Sequence, residues 1–209
     1  MTGEDRPGNE RRGSPGNDDT EWPIDPLGVT ESVVTTLGPN DSWNVAALGL
    51  HEPDPMGTPV RAKTFGNTRT RRNFHREGGG YVQFTRDPVL YVEAALSIRE
   101  HDAPVLDAAD AWVEVEAEHV DTDDAGETTL EHWHLHPVDS SIVREVVPTT
   151  NRGYNAVVEA TVAASRLDVD EYDADALRER LTYFEEVCRT CGGAREQEAF
   201  DRLNELVDR

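Results

Sequence analysis

Lysine is almost missing from this 209-residue chain: Lys63 is the only one, and the other 19 basic residues are arginine. Cysteine is limited to Cys188 and Cys191, too few for a disulfide framework and in keeping with a reducing compartment. No stretch approaches the roughly 18 consecutive apolar residues of a membrane span, and charges stand where a signal peptide would carry its apolar core. A cytoplasmic protein with no membrane contact is therefore expected. No G-x-G-x-x-G fingerprint is present, so no dedicated dinucleotide-binding unit is expected. Basic charge is scarce as a whole, at 20 Lys+Arg against 42 Asp+Glu, and a net charge of -22 would repel a nucleic-acid backbone from most of the surface.

What is abundant is acid. A surplus of Asp and Glu with one lysine and a modest 36% hydrophobic content resembles the cytoplasmic proteins of extreme halophiles. Self-repulsion at this charge destabilises a compact chain in dilute buffer, whereas molar salt cuts the Debye length to about 3 Å. The alternative, an acidic interaction protein or disordered chain, is opposed by periodic apolar segments along most of the sequence.

One island breaks the acidity. From Pro55 to Arg76 there is no Asp or Glu, while Arg61, Lys63, Arg69, Arg71, Arg72 and Arg76 give +6 against -28 for the remainder. Positive potential kept free of acid in such a background points to a bound anion. The strand-like TPVRAKTF, a Gly66-Asn67 turn and Thr68-Arg69-Thr70 opening a helix combine helix-start N–H groups, hydroxyls and Arg forks, which suit a phosphate. Arg61 and Lys63 lie at i and i+2 on one side of the strand, and with Thr68, Arg69 and Thr70 they are the phosphate candidates. Arg71, Arg72 and Arg76 are expected to be solvated or paired with surface acids.

Residues 1–25 are rich in Gly, Pro and charge and read as a disordered tail. Glu31–Leu37 and Ser42–Leu50, joined through Gly38-Pro39-Asn40-Asp41, read as a hairpin. The island's strand and helix follow, then a Gly78–Gly80 turn, a strand over Tyr81–Thr85 and a helix opened by Asp87-Pro88. Trp112–Val120 alternates Val113, Val115 and Ala117 with Glu114, Glu116 and Glu118, as in a sheet with one wet side. An acidic turn over Asp121–Thr128 leads to a strand over Thr129–His136, and Ser141–Val147 is a candidate further strand. Five to seven strands with these turn signals suggest a small barrel or sandwich. Beyond Pro148 the chain is helical: Asn151–Leu167, then a helix capped by Asp173 and ended by Gly192-Gly193, then Ala194–Val207 returning as an αα-hairpin. The domain division is 1–25 tail, 26–150 barrel and 151–209 helical segment.

The strings ESVVTTL with SWNVAALGL, VRAKTFGNTRTRRN, YVQFTRDPVLYVEAAL, DAADAWVEVE and NRGYNAVVEATVAASRL, in this order over about residues 29 to 167, carry a resemblance. The chain resembles the archaeal domain-of-unknown-function 447 family of the FMN-binding split-barrel superfamily. That resemblance implies an α+β fold, a six-stranded FMN-binding split β-barrel with a C-terminal helical segment and αα-hairpin, which forms a homodimer and binds FMN near the subunit interface. It implies no particular reaction, because the superfamily holds both reductases and proteins that only bind flavin or haem. The acidic tail, acidic surface and single lysine depart from the family pattern outside the matching strings.

With FMN as the implied ligand, the island becomes the phosphate site and SWNVAALGL the ring site. Asn44 and Ala46 share a face, and small Ala46 lets a flat ring lie against backbone. Thr35 and Thr36 stand across the hairpin, with ordinary β-propensity as the alternative reading. Arg152 and Asn155, in an acid-free stretch of a family string, are assigned to the ligand as well. Glu159 on the same helical face is read as a surface glutamate. The functional expectation is a flavin-dependent oxidoreductase with NAD(P)H or another donor as a transient partner; the alternatives are a flavin carrier or sensor, and a binder of some other phosphorylated ligand. His132, His134 and His136 alternate on one strand face, but no carboxylate or cysteine motif accompanies them, so no metal site is assigned. Cys188 and Cys191 form a CxxC at a helix C-terminus, which favours structural burial over redox or zinc chemistry.

Overall fold

The computed structural model describes residues 21–54, 57–125 and 128–207, so the proposed tail up to residue 20 lies outside the described residues. The described residues form seven strands: β1 (Val29–Leu37), β2 (Trp43–His51), β3 (Val60–Phe65), β4 (Gly79–Phe84), β5 (Arg99–His101), β6 (Ala111–Ala125) and β7 (Thr128–Ile142). Five helices join them: α1 (Arg69–Glu77), α2 (Pro88–Leu96), α3 (Arg152–Ala164), α4 (Ala174–Cys191) and α5 (Ala194–Val207).

Six strands run antiparallel in the order β1-β4-β6-β7-β3-β2, and β2 returns to β1 to close a barrel. The second edge of β2 is shared: Leu50 and His51 pair with β3, whereas Trp43–Val45 pair with β5. Closure leaves no long unpaired edge in the barrel. Alternation then decides what lies inside. Val34, Leu48, Leu50, Val60, Ala62, Val82, Val113, Val115, Trp133 and Leu135 fill the interior, with Ala117 packed beside them. The wet and dry faces read for Trp112–Val120 are those observed.

Two expectations about strands need correction. The acidic segment after Val120 does not turn: Asp121–Ala125 continues β6 and pairs with Thr128–His132, after a bulge between His119 and Asp121. Ser141–Val147 is not a separate strand, because β7 runs unbroken to Ile142. Trp22, which the sequence places in the tail, packs against the barrel core.

Gly78–Gly80 is more than a turn. Gly78 ends α1 at φ 76°, where its N–H donates to the Phe74 carbonyl, while Gly79 and Gly80 lie within β4. A Cβ on Gly79 would stand 2.1 Å from the Val115 carbonyl oxygen, and one on Gly80 would stand 2.5 Å from that of Thr35. Close approach of β4 to both neighbours thus requires two glycines.

The C-terminal helices attach through α2. Its Leu90, Tyr91 and Ala94 pack with Val33 and Val45 on the outer face of the hairpin, while Val92 joins Ala156, Val157, Ala160, Phe200 and Leu203 of the helical layer. Asp87 caps α2 through Val89 and Leu90 N–H and receives Arg195 of α5 at 2.7 and 3.1 Å. Burial alone would raise this carboxyl, but Arg195 and the two N–H donors hold it below the usual aspartate value. Cys188 is fully buried, its Sγ 3.3 Å from the Glu196 carbonyl, and burial pushes its thiol up, which makes it a poor nucleophile.

Candidate functional site

Helix α1 is the lid of one barrel end. It follows β3 through the Gly66-Asn67 turn, and Thr68 caps it by accepting from Arg71 N–H. Its buried residues are Thr70, Asn73 and Phe74, at i, i+3 and i+4, so one stripe faces the barrel. Phe74 enters the core and packs edge-on to Trp133 at 5.1 Å. Thr70 and Asn73 meet two polar residues of the hairpin's inner face, Asn44 and Thr36, which stand directly opposite each other on β2 and β1. Asn73 Nδ2 donates to Thr36 Oγ1 at 2.9 Å, and Asn44 Nδ2 lies 3.5 Å from Thr70 Oγ1. Ala46 is two residues further along the same inner face.

The first turn of α1 carries Arg69, Arg71 and Arg72 and no acid, against the preference for negative charge at a helix N-terminus. Arg69 reaches Glu100 on β5 at 2.5 Å, with both side chains partly exposed. Arg71 turns inward to Glu131 on β7 at 2.5 Å, and His75 holds the other carboxylate oxygen at 2.8 Å. The Arg71 hydrogen bond, opposed by burial and helped by His75, keeps the Glu131 carboxyl below the ordinary glutamate range. Arg72 bonds the Asn67 carbonyl, and Arg76 pairs with Glu77. Arg71 and Arg76 are thus paired, as expected, but the partner of Arg71 is a buried acid. Glu131 occupies the inward position two before Trp133 and four before Leu135 in an alternating strand, and that misplaced acid was the available signal.

The predicted residues do not converge at one point. Thr36, Asn44, Ala46, Thr68, Arg69 and Thr70 gather at the α1 end of the barrel. Thr35 projects to the opposite face from Thr36, donating to the Pro104 carbonyl and accepting from Gln83 Nε2 at 3.0 Å. Arg61 and Lys63 lie on the outer face of β3, where Arg61 donates to the Glu52 carbonyl at 3.0 Å and neighbours His51 and His134, while Lys63 neighbours His132. Neither Arg61 nor Lys63 has a carboxylate partner among the described residues. Their field is felt: His51 lies below its ordinary value, first through burial, then through Lys63 and Arg61. Arg152 and Asn155 are exposed at the start of α3. That helix is anchored where Tyr154 Oη meets the Thr85 carbonyl at 3.3 Å, at the far end of β4 from Gly79 and α1. Glu159 is exposed, as expected.

Two recesses among the described residues stand out. One, of about 280 Å³, is lined by Trp43, Gly78–Gly80, Tyr81 and Glu114, with Trp43 and Tyr81 edge to face at 5.4 Å. The other, of about 160 Å³, lies between α2 and Arg195. Neither includes a predicted site residue, and both are smaller than the ~300–1,000 Å³ of a typical ligand pocket. No helix among the described residues is long and apolar enough to cross a membrane.

The fold matches that of the FMN-bound protein MM1853 from Methanosarcina mazei, with a TM-score of 0.71 and 24% identity over 86% of this chain and 95% of that one. Looser likenesses include an FMN-binding protein from Thermus thermophilus with bound p-hydroxybenzaldehyde, at 15% identity, TM-score 0.39, over 68% of this chain and 82% of that one. The flavin reductase HpaC complexed with NADP+ is similar at 18% identity, TM-score 0.38, over 57% and 81%. Sequence models of the family described as "Protein of unknown function (DUF447)" match residues 30–144 with its N-terminal domain and 151–205 with its second domain. Barrel, lid and helical layer are covered by these two matches to within two residues at either end, and the chain belongs to the DUF447 family.

Proposed function

We propose that the protein binds FMN, with the phosphate at the α1 end of the barrel. The observation that carries this reading is the acid-free first turn of α1, where Arg69, Arg71 and Arg72 crowd the positive end of a helix dipole in a chain of net charge -22. Thr68, Arg69 and the first N–H groups of α1 would hold the phosphate, with Arg69 exchanging the exposed Glu100 for it. Asn44 and Thr70, whose 3.5 Å contact is long for a hydrogen bond, would turn their polar groups to the ligand beside small Ala46. Lys63, which has no acid partner among the described residues, and Arg61 add positive potential on the flank. The residues therefore fit an anionic phosphate and a flat ring. Bound FMN supplies one- and two-electron redox chemistry through its isoalloxazine, while the protein binds, orients and shields it.

The two recesses described above, of about 280 and 160 Å³, are small for such a ligand, which supports a homodimer whose second copy completes the site. In that arrangement Arg152 and Asn155, remote from α1 in their own chain, would serve the partner's ligand. An oxidoreductase using NAD(P)H or another donor is the finer proposal, in a cytoplasmic setting; the alternative is a carrier or sensor of flavin.

Protein purified in molar salt should show flavin absorbance or acquire it when mixed with FMN. A colourless chain that cannot be loaded refutes the reading. Anaerobic mixing with NAD(P)H then separates the two finer readings, because bleaching supports an oxidoreductase and its absence with every common reductant leaves carriage or sensing. Light scattering of the loaded protein tests the dimer.

A further inference from the structure

Two of the three histidines of β7 gain from the fold a shared carboxylate that the sequence does not place beside them. His134 and His136, at i and i+2, project from one face of the strand. Pairing of β6 with β7 sets Glu118 directly across from His134 and Glu116 across from His136. Glu118 Oε2 lies 3.1 Å from His136 Nε2 and 3.9 Å from His134 Nδ1. All three donor atoms are within 4.8 Å of one another. We propose that Glu118, His134 and His136 form a binding site for a single zinc-class divalent ion, independent of the flavin reading.

Three arguments support it. The first is geometry: metal–donor bonds of about 2.0–2.2 Å in a tetrahedral array put neighbouring donors roughly 3.3–3.5 Å apart. One pair is already at 3.1 Å and a second at 3.9 Å. The remaining gap closes by rotation of the imidazole rings, whose terminal torsions are soft. The second is donor chemistry. Two imidazole nitrogens and one carboxylate oxygen suit Zn²⁺, Co²⁺, Ni²⁺ or Cu²⁺, whereas Mg²⁺ and Ca²⁺ favour all-oxygen sites. The third is support: both histidines are held in a paired strand, and the β6 bulge that re-aims side chains follows immediately, between His119 and Asp121. Arg61, across from His134 on the other side, is drawn away to the Glu52 carbonyl at 3.0 Å. Glu118 is 64% exposed, so a fourth coordination position faces solvent, as in three-ligand zinc sites that keep water.

His132 on the same face is an internal control, because its Nε2 is taken by Asp123 at 2.8 Å, outside the cluster. The test uses the full chain, stripped of metal, in molar KCl with excess Mg²⁺ to occupy the many surface carboxylates. Zn²⁺ titration by calorimetry should give one site per chain, and Co²⁺ should produce the visible bands of a four-coordinate ion. His134→Ala and His136→Ala should each weaken Zn²⁺ binding by more than about 100-fold, beyond the usual effect of losing an outer-shell partner. Glu118→Gln should also weaken it, while His132→Ala should leave it unchanged. Circular dichroism checks that each variant is folded. Absence of a Zn²⁺ site in the wild type under excess Mg²⁺ overturns the proposal, as does a His132→Ala loss equal to that of His136→Ala. The wild-type Co²⁺ spectrum decides the matter even if a variant misfolds.

Discussion

Gly79→Ala should unfold the barrel far more than an ordinary strand glycine substitution. The added Cβ would stand 2.1 Å from the Val115 carbonyl oxygen and 3.2 Å from its carbon. A carbon–oxygen contact settles at about 3.3 Å or more, so β4 and β6 would have to part by roughly 1 Å. The obstacle is backbone in the closed ladder, which cannot rotate away, and Gly79 is paired with Glu116 at that point. Overpacking of this kind costs about 1–3 kcal/mol, and loss of a ladder bond adds to it. Against this, replacing a strand glycine by alanine returns roughly 0.5–1 kcal/mol of conformational entropy. The net expectation is destabilisation of about 1–3 kcal/mol. Gly49→Ala in β2 supplies the comparison, because its Cβ meets only the Val29 side chain at 3.3 Å, and Val29 is 58% exposed and free to shift. Urea unfolding in molar KCl, followed by tryptophan fluorescence, measures both variants. Equal midpoints for Gly79→Ala and Gly49→Ala would refute the claim that close strand approach, and not turn geometry, requires the glycine.

Acidification should destabilise the lid through Glu131. Its folded-state carboxyl lies below the unfolded value, so its contribution is complete above about pH 4.3 and is lost as pH falls through the folded value; Glu131→Gln should flatten that part of the stability profile. Asn73→Ala leaves buried Thr36 without its 2.9 Å donor and should cost about 1–3 kcal/mol in unfolding experiments. Arg69→Ala should weaken FMN binding by more than about 1 kcal/mol, while Arg76→Ala, already engaged with Glu77 and the Leu37 carbonyl, should change it little; equal effects in a fluorescence titration would contradict the proposed phosphate site. Unfolding midpoints should rise steeply with KCl if the -22 charge reflects adaptation to salt, and full stability in dilute buffer would remove that reading.

Much of the site was legible in part because its signals are local. The N-caps Thr68, Asp87 and Asp173 and the Gly192 stop appear where turn chemistry puts them. The acid-free island marks α1 and its flanks. The island's charge, however, does not say which way each side chain points. Adjacent Thr35 and Thr36 serve different layers because a strand alternates faces, and Arg61 lies away from Thr68–Thr70 because β3 carries it along the outer wall.

The sequence by itself determined the alternation of β6, the helix caps at Thr68, Asp87 and Asp173, and an acid-free, arginine-rich helix start in an acidic chain. These follow from interactions within a few residues along the chain; the third helix, read to Leu167, ends at Ala164. Tertiary structure alone decided barrel closure through β1, the three-residue β5, the extension of β6 through its acidic stretch, and the burial of Glu131 between Arg71 and His75. It also placed Glu118 beside His134 and His136. Each depends on pairing between segments distant in sequence, where register fixes the neighbours and composition does not.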